Sequence, residues 1–259
     1  MLILHFKIKF SLYAYFVIIF SIRYNIYMIN ISGLTKTTLL DFPGHVASTI
    51  FLSGCNFRCP FCHNSSLING IDNTTIASEE VFNFLNKRSG IISGVCISGG
   101  EPTLYKELPA FIKKIRSFDL KVKLDTNGYN PDMLSFLISN DLLDMVSMDI
   151  KGSKDLYPKI TGVETIDISR IEKSVEILKQ SSITVEFRTT VVDNFFTEED
   201  IHSIGKWLGD TKAYCLQSFE NSASVLQPGL LSPSDATMNA YLNIAKKYNS
   251  SAFIRGQQN

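Results

Sequence analysis

Three cysteines fall within eight residues in the stretch SGCNFRCPFCHN, residues 53–64. Cys55, Cys59 and Cys62 are spaced C-x3-C-x2-C, and thiolates so placed are ligands for zinc or for an iron–sulfur cluster. A closed zinc site needs a fourth ligand. His63 adjoins Cys62, so its side chain diverges from that thiol, and no second Cys-x2-Cys knuckle occurs. A ferredoxin-type electron carrier also uses four cysteines per cluster. Cys96 and Cys215 stand alone in apolar runs and read as inert core thiols. Three thiolates on a four-iron cluster leave one iron open. An open position marks a catalytic metal site, as a closed one marks a structural site. A structural zinc loop is the bland alternative on spacing alone.

Further polar clusters each follow an apolar, β-rich run. SGGEPTL, residues 98–104, has adjacent Gly99 and Gly100 that permit close backbone approach to a ligand, although an ordinary strand-to-helix turn opened by Pro102 has the same look. LDTNG, residues 124–128, carries Asp125 and Asn127, and MDIKG, residues 148–152, carries Asp149 and Lys151. EFRTTV carries Arg188, and YCLQSFENS offers Gln217 and Phe219 as candidates for a cofactor pocket. Buried charges need partners, so Asp125, Asp149, Lys151 and Arg188 are expected to serve one another when no ligand is bound. No side chain is assigned as a catalytic acid or base.

These clusters must be positioned by the elements that precede them. Strands are expected at 47–52, 94–98, 121–125, 145–150, 184–192 and 213–217, with helices near 79–87, 105–118, 131–139, 169–180 and 198–208 and a last one at 233–248. Thr197 with Asp200 three residues on, and Ser232 before Pro233, supply helix starts. Repeated β–α units imply a parallel sheet covered by helices. Six units suit an incomplete TIM-type barrel, or an open doubly wound sheet; either gathers ligands at the strand C-termini.

Composition sets the outer bounds. Hydrophobic residues make up 45% and charged residues 19%, the profile of a globule with a sizeable core. Lysine plus arginine equals aspartate plus glutamate at 25 each, so no nucleic-acid partner is expected. Three of five cysteines cluster, which suits a metal site in a reducing compartment and hence a cytoplasmic protein. Residues 1–27 differ: Lys7 and Lys9 precede an apolar run from Phe10 to Ile22, short for a membrane span and without a cleavage site. They are expected to be a start-codon artefact or dispensable extension, with membrane anchoring second. Residues 28–259 read as one domain.

The cysteine spacing, with Phe61 ahead of the last cysteine, resembles the radical S-adenosylmethionine (SAM) superfamily. The longer stretch 31–64 is similar to activating enzymes of glycyl-radical enzymes, above all those of anaerobic ribonucleoside-triphosphate reductase, and the similarity runs through most of 31–256. The resemblance implies an α/β fold, an incomplete (βα)6 TIM-type barrel. It implies that Cys55, Cys59 and Cys62 hold a 4Fe-4S cluster, and that the backbone around Gly99, Gly100 and Glu101 receives the methionyl amino group of SAM. Asp125, Asn127, Asp149 and Lys151 match SAM-binding positions, the lysine near the SAM carboxylate and the aspartates near a monovalent cation. Arg188 matches an arginine at the SAM end of the cleft, and Asp41 matches an aspartate before a turn.

The implied reaction is reductive cleavage of SAM to a 5′-deoxyadenosyl radical, which takes hydrogen from a glycine of a partner glycyl-radical protein. A flavodoxin or ferredoxin is the implied electron donor. No cysteine beyond these five suggests a second cluster, which narrows the resemblance to single-cluster activases. YCLQSFENS departs from pyruvate formate-lyase activases, which have a histidine there. The rivals are an activase of another such enzyme, including pyruvate formate-lyase; a small-molecule radical SAM enzyme such as 7-carboxy-7-deazaguanine synthase; and a non-catalytic metal-binding module.

Overall fold

Eight strands form a single sheet whose spatial order is the order of the chain, in a computed structural model that describes residues 29–69 and 75–255. The strands are β1 (Ile31–Thr38), β2 (Ala47–Leu52), β3 (Gly94–Gly99), β4 (Lys121–Thr126), β5 (Met145–Asp149), β6 (Thr184–Val191), β7 (Tyr214–Ser218) and β8 (Ala252–Ile254). Every neighbouring pair from β2 to β8 is parallel, and β1 runs antiparallel to β2. A doubly wound sheet requires the strand order to reverse at a switch point. Here it never reverses, and β1 and β8 do not pair, so the sheet is the expected incomplete barrel. Its six parallel strands with helices are β2 to β7.

The helices are α1 (Ser78–Arg88), α2 (Leu108–Arg116), α3 (Pro131–Ser139), α4 (Tyr157–Thr161), α5 (Ile168–Gln180), α6 (Glu198–Leu208) and α7 (Asp235–Lys246). Each longer helix turns an apolar stripe to the sheet: Val81, Phe82 and Leu85 from α1, and Leu108, Phe111, Ile112 and Ile115 from α2. These meet the outward residues of the strands, among them Val122, Leu124, Val146 and Phe187, all buried. Because successive strand side chains alternate in direction, Lys123, Asp125, Ser147, Asp149, Glu186 and Arg188 occupy the opposite face, inside the barrel. The polar residues of one strand period therefore become a charged interior.

The observed elements depart from the expected ones in several places. β1 has only two large apolar residues, Ile31 and Leu34, and β8 is three residues long, so neither has a readable strand pattern. The last helix begins at Asp235, not Pro233, because Ser234 supplies the cap by accepting from Thr237 N–H at 3.1 Å. Residues 102–104 form a separate 3-10 turn, which delays α2 to Leu108. Thr197 and Asp200 make the expected reciprocal cap of α6. Arg116 of α2 pairs with Asp144 at 2.6 Å. Among the described residues no helix is long and apolar enough to cross a membrane; the stretch 1–27 lies outside them.

Candidate metal centre and cofactor site

The cysteine loop leaves β2 and is fastened along its length by backbone hydrogen bonds. Gly54 N–H donates to Leu67 O at 2.7 Å, Cys55 N–H to Ile68 O at 3.1 Å, and Arg58 N–H to Thr161 O at 2.7 Å. The Arg58 guanidinium also donates to the Cys55 and Phe57 carbonyls at 2.7 and 2.8 Å. Asn64, at the far end of the loop, donates to Gly99 O at 3.2 Å and ties the loop to the turn after β3.

That turn needs both glycines for a reason within the protein. A Cβ on Gly99, whose φ is +118°, falls 2.3 Å from Leu52 O, and a Cβ on Gly100 falls 2.1 Å from Gly54 O. The close approach expected toward a ligand is therefore first an approach of the β2 and β3 exits to each other. The Glu101 side chain is engaged within the protein. It is buried, does not line the cavity, and accepts from Thr103 N–H, the Thr103 and Thr126 hydroxyls and Asn127 N–H. Burial pushes its carboxyl upward in pKa while these four donors oppose the shift.

The remaining candidates converge. Cys55, Cys59 and Cys62 line a cavity of about 210 Å³ together with Gly99 and Gly100. Asp125, Asn127, Asp149, Lys151 and Arg188 line the same cavity from the ends of β4, β5 and β6. Lys151 Nζ lies 3.0 Å from Asp149, and Arg188 bridges Asp149 at 2.9 Å and Asp125 at 3.3 Å. Lys123, deeper in the barrel, closes the chain by pairing with Asp125. Lys123 does not line the cavity, so within it two cations face two carboxylates. Burial disfavours the charges of Asp149, Lys151 and Arg188, but the cations hold Asp149 below the usual carboxylate range, and the carboxylates push Lys151 and Arg188 upward.

Sequence reasoning missed Lys123, although its place two residues before Asp125 on one strand puts both on the same face. It also missed Tyr157, whose hydroxyl accepts from Lys151 N–H at 3.2 Å. Gln217 and Phe219 do not line the cavity; Phe219 is buried with its ring 5.6 Å from that of His63. Cys96 and Cys215 are buried, and Lys123 Nζ lies 3.7 Å from the Cys96 sulfur.

Cys55, Cys59 and Cys62 all open on one cavity, and a multi-iron cluster takes one iron per thiolate and leaves a fourth iron open. All three thiols are free, and burial raises them, Cys55 to about 11, so an unmetallated loop holds neutral thiols that binding must deprotonate. Three free cysteines of one loop facing one cavity fit an iron–sulfur cluster with one iron left open.

The profile of the radical SAM superfamily matches residues 49–208, from β2 to the end of α6. The chain belongs to the radical SAM superfamily. This radical SAM protein is 34% identical over 233 residues to a Methanocaldococcus jannaschii protein provisionally named a glycyl-radical enzyme activating enzyme, covering 87% of this chain and 95% of the relative. It therefore belongs to that family and is an enzyme. A Clostridium pasteurianum pyruvate formate-lyase-activating enzyme is 31% identical over 154 residues, with 56% of this chain and 63% of that one covered. Among solved structures, Streptococcus suis SuiB bound to its precursor peptide SuiA superposes with a TM-score of 0.63 at 14% identity, over 80% of this chain and 48% of SuiB. That likeness is one of fold.

Proposed function

We propose that this radical SAM protein installs a glycyl radical on a partner enzyme, and that the partner is an anaerobic ribonucleoside-triphosphate reductase. One observation carries the reading. The three-cysteine loop, the Gly99–Gly100 turn and the Asp125–Arg188–Asp149–Lys151 chain line a single cavity at the C-terminal mouth of the barrel. A 4Fe-4S cluster bound there supplies the electron that splits SAM into methionine and a 5′-deoxyadenosyl radical.

The chain's own residues bind and orient. Cys55, Cys59 and Cys62 would hold the cluster, which would bind the SAM amino and carboxylate groups at the position the cysteines leave free. Lys151, oriented by Asp149, offers its ammonium to that carboxylate, and Arg188, gripped by two aspartates, presents a fixed cationic edge across the cavity. The backbone after Gly100, braced by Glu101, receives the amino group. Each aspartate is held by two cations, Asp149 by Lys151 and Arg188 and Asp125 by Arg188 and Lys123, so these charged groups fix one another in place between turnovers. No proton transfer is required of any side chain. The target presents a glycine whose Cα hydrogen is taken, and a flavodoxin or ferredoxin supplies the electron.

The similarity to the clostridial protein supports pyruvate formate-lyase as a second target. Electron paramagnetic resonance on the anaerobically reconstituted protein decides between them. With SAM, reductant and ribonucleotide reductase, a glycyl-radical doublet on the reductase is expected. Cys→Ala at 55, 59 or 62 abolishes both the doublet and SAM cleavage while far-ultraviolet circular dichroism stays native. A doublet on pyruvate formate-lyase alone reassigns the partner. Cleavage of SAM by all three cysteine variants overturns the site.

A further inference from the structure

Of the five charged side chains linked through Asp125, Arg188, Asp149 and Lys151, only Lys123 does not face the cavity. Its side chain is 3% exposed, pairs with Asp125, and lies 3.7 Å from the Cys96 sulfur. Lysine is almost never buried this completely without a carboxylate partner. Even a well-paired buried lysine is weak evidence for stability, because an apolar side chain of similar volume commonly serves packing as well or better. A lysine here therefore calls for a reason beyond filling the barrel.

The two oxygens of Asp125 supply one. Oδ1 is taken by Lys123, while Oδ2 accepts from the Ser98 hydroxyl and from Arg188 Nη1, each at 3.3 Å. Arg188 sits closer to its other carboxylate: Nε and Nη2 both lie 2.9 Å from Asp149 Oδ1. A carboxylate with both oxygens free takes an arginine fork through two parallel bonds. Asp125 has one oxygen to offer, because Lys123 holds the other. Arg188 is thereby kept astride both aspartates at the cavity wall and does not close onto Asp125 alone. Without Lys123, Oδ1 would be a buried anionic oxygen lacking its partner, and Arg188, already on Oδ2, is the cation able to turn to it.

We propose that Lys123 is a positioning residue for SAM: by holding Asp125 Oδ1 it keeps Arg188 astride the two aspartates, where its cationic edge meets the bound cofactor. The inference rests on the reading of this cavity as the SAM site made under Proposed function. Lys123 touches neither cluster nor SAM and acts only through Asp125. Its effect on SAM therefore depends on the carboxylate at position 125, a dependence that a packing role does not have.

The test is a double-mutant cycle read by SAM binding. SAM is titrated calorimetrically into the anaerobically reconstituted wild type, Lys123→Met, Asp125→Asn and the double variant, each with its iron content measured. No reductant is present, so the readout is independent of turnover. Lys123→Met keeps the length of the side chain and removes the charge, and about a tenfold loss of SAM affinity is expected. In the Asp125→Asn background the same change should cause no further loss. A purely structural lysine would lower affinity or cluster content by the same factor in both backgrounds. Equal losses in the two backgrounds, or wild-type affinity in Lys123→Met, overturn the inference while the SAM site stands. If Lys123→Met takes up no cluster, Lys123→Gln is read by the same criterion, with a loss of about threefold because a neutral amide holds Oδ1 less firmly. A wild type that carries its cluster and binds no SAM overturns the reading of the cavity and this inference together.

Discussion

Glu101 illustrates how a residue can matter to a site it does not face. Its two oxygens accept four hydrogen bonds, so either orientation of a glutamine there sets an amide N–H against a donor. Glu101→Gln should lower stability by about 1–3 kcal/mol, read as a shifted urea midpoint. It should also weaken SAM binding, because Asn127 loses its anchor; an unchanged midpoint would show that the network is not needed. Asp149 allows a test of sign. Its folded-state carboxyl is held below the usual range, so its contribution to stability is fully present above the unfolded value of about 3.9 and is lost as pH falls toward the depressed one. The stability cost of Asp149→Asn should therefore be constant from pH 7 to about pH 5 and shrink below about pH 4. A cost that already declines between pH 7 and 5 would contradict the pairing with Arg188 and Lys151.

The strand exits are the elements that build the cavity. β2 and β3 end within contact distance of each other because Gly99 and Gly100 have no side chains, and Gly100 N–H donates to Leu52 O at 2.7 Å. Gly100→Ala places a methyl group 2.1 Å from Gly54 O, backbone that cannot rotate away. We expect a loss of about 3 kcal/mol and reduced iron uptake even in the fraction that folds, measured as iron per folded protein. Normal iron content in the folded fraction would mean that the loop and the turn are independent. The pattern of glycines next to an acid was readable in the sequence; that the acid braces Asn127 at the neighbouring strand exit was not, because the β3 and β4 exits meet only when the sheet forms.

Across the whole molecule the two mouths of the barrel have different tasks. The cavity and its charges sit at the strand C-termini, while Phe42, from the turn after β1, closes the N-terminal mouth against Ala47 and Met145. Its ring also lies where a Cβ on Gly94 would come within 2.8 Å. This division matches the barrel rule that one face carries chemistry and the other stability. Phe42→Ala should cost about 3–5 kcal/mol in unfolding free energy, with the cluster spectrum of the remaining folded protein unchanged. A changed spectrum would couple the two mouths. LLDFPG therefore has a structural account: Pro43 and Gly44 turn the chain, Asp41 accepts from the Thr49 hydroxyl, and Phe42 fills the base.

Local chemistry was legible in the sequence by itself. The cysteine spacing, the paired glycines and the acidic and basic residues ending each apolar run are fixed by neighbours along the chain, and so are the alternating strands and helices that imply a barrel. Asp125, Asp149, Lys151 and Arg188 could be placed on one rim because each ends a strand of one parallel sheet. Their pairing scheme could not, because it depends on which strands are neighbours and how far they are staggered. For the same reason Lys123 joined the site unannounced, Gln217 and Phe219 left it, and the antiparallel β1 went unseen. The hydrogen bond from Asn127 to Asn56 belongs wholly to the tertiary structure: it joins residues 71 positions apart that meet only once the sheet has formed.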